Sequence, residues 1–270
     1  MRIRSKKQMK YYKEISLLIF LFLNSCGKNP QKSDIDAPKI YYSIVYSGYI
    51  INGISSFILL ILSMRDEECI SDRGDERIFN CSSTSPAIFG YIKKEENRYS
   101  LSITASGGNN EEKINAELSG RAELKGEGIM LNEISAKLKI STGGTIEKKG
   151  SINLENLTFS NIKNGFSVSS TEGKIKIDWT ESLYLSLKNF RYFQYSNPNT
   201  SYIDVAFRGD ISSEGCFGNF SGSIDVSVRG IIGEKNIICP VEGNFKTPSN
   251  TFDAGKFSCN NVDMCQIFIF

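Results

Sequence analysis

The chain has 270 residues, with 32 Lys and Arg, 30 Asp and Glu, and no His. Without histidine it can form no Ser-His-Asp or Cys-His nucleophile pair, no His general base and no His-ligated zinc or haem. Carboxylate pairs and serine–lysine chemistry stay open, but no spacing singles out such residues. We therefore expect a protein that is not an enzyme and that needs neither a metal nor a cofactor.

The chain begins with the pattern of an export signal. Six basic side chains fall within the first thirteen residues, and the nine residues 15–23 that follow are apolar except for one serine. This apolar run is too short to cross a bilayer as a helix. A basic segment, a short apolar segment and small residues before a cysteine predict a secretory signal peptide over residues 1–25.

The signal ends in the tetrapeptide Leu23-Asn24-Ser25-Cys26. Leu23 occupies the apolar position three residues before the cysteine, and Ser25 occupies the small position next to it. Residues 1–26 resemble a bacterial lipoprotein signal, and Asn24 makes the lipobox similar to the relaxed form of spirochaetes. The resemblance implies cleavage before Cys26 and lipidation of that cysteine by diacylglycerol and a further acyl chain, such as palmitate. The alternative is an ordinary signal peptide with a chance cysteine at its end.

Removal of the signal changes the charge of the protein. Residues 1–25 hold six of the basic residues and one acidic residue, which leaves 26 against 29 and a net charge of −3. No basic field remains that would indicate nucleic-acid binding. The expected partners are the membrane, reached through the acyl chains, and a host or envelope protein. We expect the protein at the outer membrane or the cell surface rather than at the inner membrane.

Two segments follow the lipobox. Residues 26–39 are rich in Lys, Asn, Gln, Ser and Asp, which predicts a flexible tether. Residues 40–64 are the most apolar stretch after the signal. Asn52-Gly53, between two runs rich in β-branched and aromatic residues, is typical of a hairpin turn. We therefore predict strands over 40–51 and 54–64, with a membrane span as the alternative.

Short strands and turns succeed one another along the rest of the chain. The alternation of apolar and polar residues is clearest over 113–125. Turn signals at Gly173 and at Gly209-Asp210 divide longer runs. The pattern predicts one all-β domain over residues 40–270, as an antiparallel sandwich, a barrel-like fold or a broad curved sheet. The other strand-like runs lie near 87–93, 99–105, 138–140, 152–159, 166–170, 174–179, 182–193, 201–208, 220–229, 235–239, 241–246 and 266–270.

Six cysteines remain after Cys26. An even number of cysteines in an exported protein is typical of disulfides. We predict a Cys69–Cys81 disulfide, because no other cysteine is near either of them in the sequence. The remaining pairings stay open, and six free thiols in the core are the alternative. The disulfide candidates are Cys69, Cys81, Cys216, Cys239, Cys259 and Cys265.

A short motif suggests one binding function. Arg73-Gly74-Asp75 lies between Cys69 and Cys81, and Arg208-Gly209-Asp210 repeats it. Animal integrins recognise this tripeptide, and a loop closed by a disulfide would present the first copy already ordered. The simpler interpretation is a solvated loop at the first copy and a turn after a strand at the second. The resulting hypothesis is an adhesin or interaction module with Arg73, Gly74 and Asp75 as candidate binding residues.

A cluster of aromatic side chains suggests a second function. If exposed, these rings would form a ligand surface or line an apolar cavity; if buried, they would belong to the core of the sheet. The corresponding hypothesis is a carrier of lipid or another hydrophobic ligand, in which a curved sheet shelters an acyl chain. The cluster consists of Trp179, Tyr184, Phe190, Tyr192, Phe193 and Tyr195.

Overall fold

A computed structural model describes most of the chain after the tether. The signal peptide, the lipobox and the strand-like run 266–270 lie outside the described residues, as do Trp179, Cys216, Cys259, Cys265 and the side chain of Cys239. The described residues are 37–64, 68–83, 86–108, 112–142, 146–178, 182–197, 200–214, 219–232, 238–248 and 251–256.

The described chain forms one broad antiparallel sheet of 13 strands. Each strand pairs with its neighbours in sequence, so the sheet is a continuous meander with β1 and β13 at its two edges. The all-β class is confirmed, and the broad curved sheet is the architecture observed. The strands are β1 (Ile70–Arg73), β2 (Glu76–Cys81), β3 (Ala87–Glu95), β4 (Arg98–Gly108), β5 (Glu112–Lys125), β6 (Gly128–Thr142), β7 (Ile146–Ile162), β8 (Gly165–Asp178), β9 (Ser182–Ser196), β10 (Ser201–Glu214), β11 (Phe220–Ile232), β12 (Ile238–Lys246) and β13 (Thr251–Asp253), followed by the 3-10 turn Ala254–Lys256.

One α-helix, α1 (Ala37–Ser63), precedes the sheet. The prediction of a hairpin over 40–64 is wrong, because Asn52 and Gly53 lie inside this helix. All residues in 40–51 are buried, and a segment that is apolar on every side is stable as a helix when it is enclosed. A helix also satisfies its own backbone groups, which an unpaired hairpin in apolar surroundings would not. α1 begins three residues inside the predicted tether 26–39.

Four of the five serine hydroxyls of α1 donate within the helix, whereas Ser55 Oγ is buried without a hydrogen-bond partner. Ser43 Oγ donates to the carbonyl of Ile40 at 2.8 Å, and Ser47 Oγ donates to the carbonyl of Ser43 at 2.9 Å. Such bonds to the preceding turn let a hydroxyl lie in apolar surroundings without a partner from the sheet. The polar atoms of Ser43 and Ser47 therefore do not prevent the burial of this segment.

Neighbouring strands in the middle of the sheet each contain a β-bulge. In β7, Ile152 and Leu154 are buried before the irregularity, and Leu157 and Phe159 are buried after it. The buried positions thus change from even to odd numbers. A bulge adds one residue to a strand, which restores the inward direction of the apolar side chains and bends the strand.

These bulges lie side by side and form what we call the bulge line, which crosses β6 to β9. Asn156 and Asn189 have φ of 55° and 53°, in the left-handed region that asparagine tolerates better than most residues. The bend lets the sheet curve around α1. The bulge line consists of Asn132, Asn156, residues 170–173 and Asn189.

The bulge line and the register correct two further predictions. Gly173 lies inside β8, and Gly209-Asp210 lies inside β10, so neither position is the predicted turn. At Gly209 a Cβ atom would lie 1.7 Å from the carbonyl oxygen of Ser186. This glycine therefore serves the close approach of β10 to β9.

The bulge at Asn156 provides a test of this bend. Asn156→Val is expected to lower the free energy of unfolding by about 1–2 kcal/mol, because a β-branched residue is strained at positive φ. Asn156→Gly should keep stability close to that of the wild type. Asn161→Val, on an exposed and extended position of β7, is the control and should be neutral. Urea unfolding measures all three, and equal stability of the two valine variants would contradict the bulge.

Candidate functional site

The two faces of the sheet differ in chemistry. The outer face carries exposed ion pairs, such as Arg121–Glu133 at 2.6 Å and Arg208–Asp225 at 2.8 Å. Exposed pairs of this kind contribute little to stability, but they keep the outer face hydrated. The inner face is built from aliphatic and aromatic side chains that form one core with α1. The sheet therefore encloses an apolar interior within a polar exterior.

The N-terminal half of α1 is attached to β10 and β12. Tyr41 Oη donates to the carbonyl of Ile203 at 3.0 Å, and the Tyr41 ring meets the edge of Phe245 with 6.4 Å between centroids. Burial raises the pKa of Tyr41 well above the usual value, so its hydroxyl stays protonated and able to donate. This contact combines apolar packing with a satisfied polar atom.

Gly48 of α1 lies close to Tyr192 of β9. A Cβ atom at Gly48 would lie 2.5 Å from two ring atoms of Tyr192. The Tyr192 ring stacks on Phe166 with 5.6 Å between centroids, and Phe166 lies 5.8 Å from Phe159. Burial also raises the pKa of Tyr192, whose hydroxyl donates to Gln194 Oε1 at 3.1 Å. Gly48 thus makes room for a row of rings that lines the interior.

The C-terminal half of α1 is less enclosed. Phe57, Leu59 and Leu62 are only partly buried. The last carbonyls of the helix are held from the opposite end of the sheet, where Arg77 Nη1 donates to Met64 O at 2.9 Å and to Leu62 O at 3.4 Å. A guanidinium at this position also complements the negative end of the helix dipole.

An apolar cavity of about 60 Å³ lies beside this half of the helix. Ile54 and Phe57 of α1 form one wall, and β4 to β6 form the other. Among the described residues that line the cavity, Glu117 is the one that carries a charge, and its side chain is exposed. An apolar wall offers water no hydrogen bonds, so such a cavity favours hydrocarbon over water. The wall from the strands includes Ile103, Ala105, Ile114, Ala116 and Ala136.

The predicted motif Arg73-Gly74-Asp75 lies at the tip of the β1–β2 hairpin. Its three residues are exposed, and Gly74 has φ of 63° with open space around its Cα. The sulfurs of Cys69 and Cys81 are 2.03 Å apart, a disulfide distance that supports the predicted pairing. The structure therefore places the tripeptide on an exposed turn closed at its base.

The second copy of the motif is in a different setting. Arg208 pairs with Asp225 at 2.8 Å, and Asp210 Oδ1 accepts from Ser223 Oγ at 2.5 Å. Both side chains therefore have partners across the β10–β11 pair. A strand in the middle of a sheet cannot present the tripeptide as a projecting loop.

The aromatic cluster is divided between the two faces. Phe190 and Tyr192 are buried, whereas Tyr184 and Phe193 are each 39% exposed. The predicted cluster is thus partly core and partly surface. α1 also contributes to this interior, although its segment was predicted as two strands. The 24 uncharged residues of α1 over 40–63 were the available signal for a buried or membrane-embedded helix.

The chain has no detected similarity to known proteins. The chain was compared with protein-family profiles, with curated proteins and with solved structures, and no match was found. Among the residues that the structure describes, no three potential ligands (Cys, Asp or Glu) gather as a metal site. Ile40–Ser63 is long and apolar enough to cross a membrane by length and composition, and 83% of the most apolar window is buried against the sheet. Core helices also meet this criterion.

Proposed function

We propose that this protein is a non-enzymatic binding protein of the cell envelope that holds an apolar chain inside its curved sheet. In this proposal acyl chains on Cys26 anchor it at the outer membrane or the cell surface. The observation that carries the proposal is the apolar interior, which encloses a helix with the composition of a membrane span. The outer face, by contrast, is polar.

The properties of α1 support a lipid-like ligand. Its 24 residues Ile40–Ser63 have a helical length of about 36 Å, and a bilayer core measures about 30 Å. The inner face of the sheet therefore already accommodates a largely apolar helix. Each methylene group moved from water into such an interior contributes about 0.8 kcal/mol, so an acyl chain would bind without a specific polar contact.

Mass spectrometry and photolabelling test this proposal. Native mass spectra of the full-length protein purified from its own membranes are expected to show acylated Cys26 as the N-terminus and one retained lipid. Palmitic acid that carries a diazirine should label the protein, and an excess of unlabelled palmitic acid should compete. Absence of both a retained lipid and competable labelling would contradict the proposal.

The exposed motif supports a second candidate function, adhesion to a host or envelope protein. Arg73-Gly74-Asp75 projects from a turn that the Cys69–Cys81 pair closes. A preordered turn loses less conformational entropy on binding than a free loop. The motif is exposed at the tip of the β1–β2 hairpin, outside the apolar interior, so the two functions would use different surfaces of the protein.

Asp75→Ala is expected to reduce binding to an immobilised integrin that recognises this tripeptide by at least about tenfold, the equivalent of ~1.4 kcal/mol. The aspartate is the residue that completes metal coordination in such recognition. Asp210→Ala, in the copy inside β10, is the matched control and should bind like the wild type. Surface plasmon resonance makes the comparison, and an unchanged affinity of Asp75→Ala would remove the motif from the proposal.

A further inference from the structure

We infer that the apolar cavity between α1 and β4–β6 is the entry site for a fatty acyl chain. This inference rests on the proposed function and assigns its ligand to one place in the interior. Within the described residues, this cavity is a place where α1 leaves space against the sheet.

The lining of the cavity indicates the chemical class of the ligand. Ile54 and Phe57 face Ala105, Ala116 and Ala136, and small side chains on the strands create the space. A polar ligand would lose its hydrogen bonds to water without replacement, which costs several times the free energy of a single methylene transfer. The end of an alkyl chain makes no hydrogen bonds to water, so it loses none on entering the cavity. The lining thus selects hydrocarbon.

The exposure of the lining indicates the route of entry. Ala105, Ala116 and Ala136 are partly buried, so the cavity reaches the surface on this side. Phe57 is also partly buried. The N-terminal half of α1, by contrast, is enclosed throughout 40–51. An acyl chain therefore meets the interior first at the C-terminal half of the helix.

The size of the cavity implies a movement. The cavity volume of about 60 Å³ is well below the roughly 300–1,000 Å³ of typical ligand sites. It has room for only a few methylene groups. The rest of an acyl chain must lie along the C-terminal half of α1, where Phe57, Leu59 and Leu62 are partly buried. The C-terminal half of α1 therefore shifts outward on binding, while Tyr41 and Gly48 hold the N-terminal half in place.

Cavity-filling variants test the position of the site. Ala116→Leu and Ala136→Leu place extra methyl groups into the cavity and should each lower competable labelling by diazirine palmitate about tenfold, as expected for the loss of roughly two buried methylene groups. Ala206→Leu, the same substitution on a partly buried position of β10 away from the cavity, is the matched control and should label like the wild type. Thermal unfolding of all three confirms that they are folded.

A variant that should increase labelling, and a map of the labelled residues, complete the test. Phe57→Ala enlarges the cavity and should increase labelling severalfold. Peptide mapping of the wild type should place the crosslinks on β4–β6 and on residues 54–62. Labelling that is competable but maps elsewhere, or that the variants leave unchanged, would overturn the assigned site and leave the proposed function standing. Wild-type protein without competable labelling would overturn the proposed function itself.

Discussion

Ile44→Asp is expected to lower the free energy of unfolding by about 5 kcal/mol, because a carboxylate at this position has no partner and no water. Ile44 is 0% exposed and lies in the fully enclosed half of α1. A loss of this size approaches the whole stability of a typical domain, about 5–15 kcal/mol. We therefore expect a largely unfolded protein at neutral pH, measured by circular dichroism and urea titration.

The same variant should recover stability in acid. Burial favours the neutral carboxyl, so the folded-state pKa of the new aspartate lies above its unfolded value of about 3.9. Between these two pKa values the folded state binds more protons, and stability falls as the pH rises, by about 1.4 kcal/mol per pH unit. The destabilisation relative to the wild type is therefore smallest below about pH 4. Urea unfolding at pH 4 and pH 7 measures the difference.

Val241→Asp is the matched control for this experiment. Val241 is 38% exposed on β12, so its replacement should cost less than about 1 kcal/mol at either pH. If Ile44→Asp were as stable as Val241→Asp in detergent-free solution, α1 would not be enclosed by the sheet. The placement of the helix, and the interior on which the proposed function depends, would then be wrong.

Gly48→Leu is expected to destabilise the protein by about 3 kcal/mol, the upper end of the usual range for overpacking a core. The new Cβ atom alone would lie 2.5 Å from the Tyr192 ring. That ring is 0% exposed and stacks on Phe166, so it has no space into which to move. Either α1 or β9 must shift, and each movement disrupts the contacts of the other.

A double-mutant cycle isolates this contact. Tyr192→Ala alone leaves a cavity and should cost about 3–5 kcal/mol. In the double variant, the leucine at position 48 occupies part of the space left by the Tyr192 ring. The losses in the free energy of unfolding of the two single variants should therefore sum to at least about 2 kcal/mol more than the loss of the double variant. Guanidinium unfolding of the four proteins gives this coupling. Additive losses would show that Gly48 and Tyr192 are not in contact.

Many strands from β3 onward could be predicted because one face of the strand is buried, whereas β1 and β2 form in a segment that was predicted as a loop and β1 has no buried side chain. The alternation over 113–125 needs no knowledge of the partner strands, and β5 is observed there. The bulges were also encoded, since the apolar positions change parity between Leu154 and Leu157 and between Leu187 and Phe190. The interpretation of Gly173 as a turn missed that a bulge makes a single strand look like two.

Over 40–64 the local signals conflict, because the long uncharged run is typical of a helix whereas the turn residues favour a hairpin. Asn52-Gly53 within β-branched residues favours a hairpin on propensity, and only enclosure by a 13-stranded sheet makes the helix the better solution for 40–64. The cavity depends on the volumes of side chains from α1 and three strands that are distant in sequence. No local pattern carries that information. Arg73-Gly74-Asp75, in contrast, is exposed as predicted, but it lies at the turn of the β1–β2 hairpin rather than in a solvated loop.

The contact between Tyr41 and Ile203 has a consequence for biogenesis. These residues are 162 positions apart, so a ribosome that adds 5–20 residues per second needs roughly 10–30 s to make the second after the first. During that delay the apolar segment 40–64 is part of the nascent chain, but the late strands that bury it have not yet been synthesised. We therefore expect a holdase or a lipid surface to cover the segment until the late strands emerge.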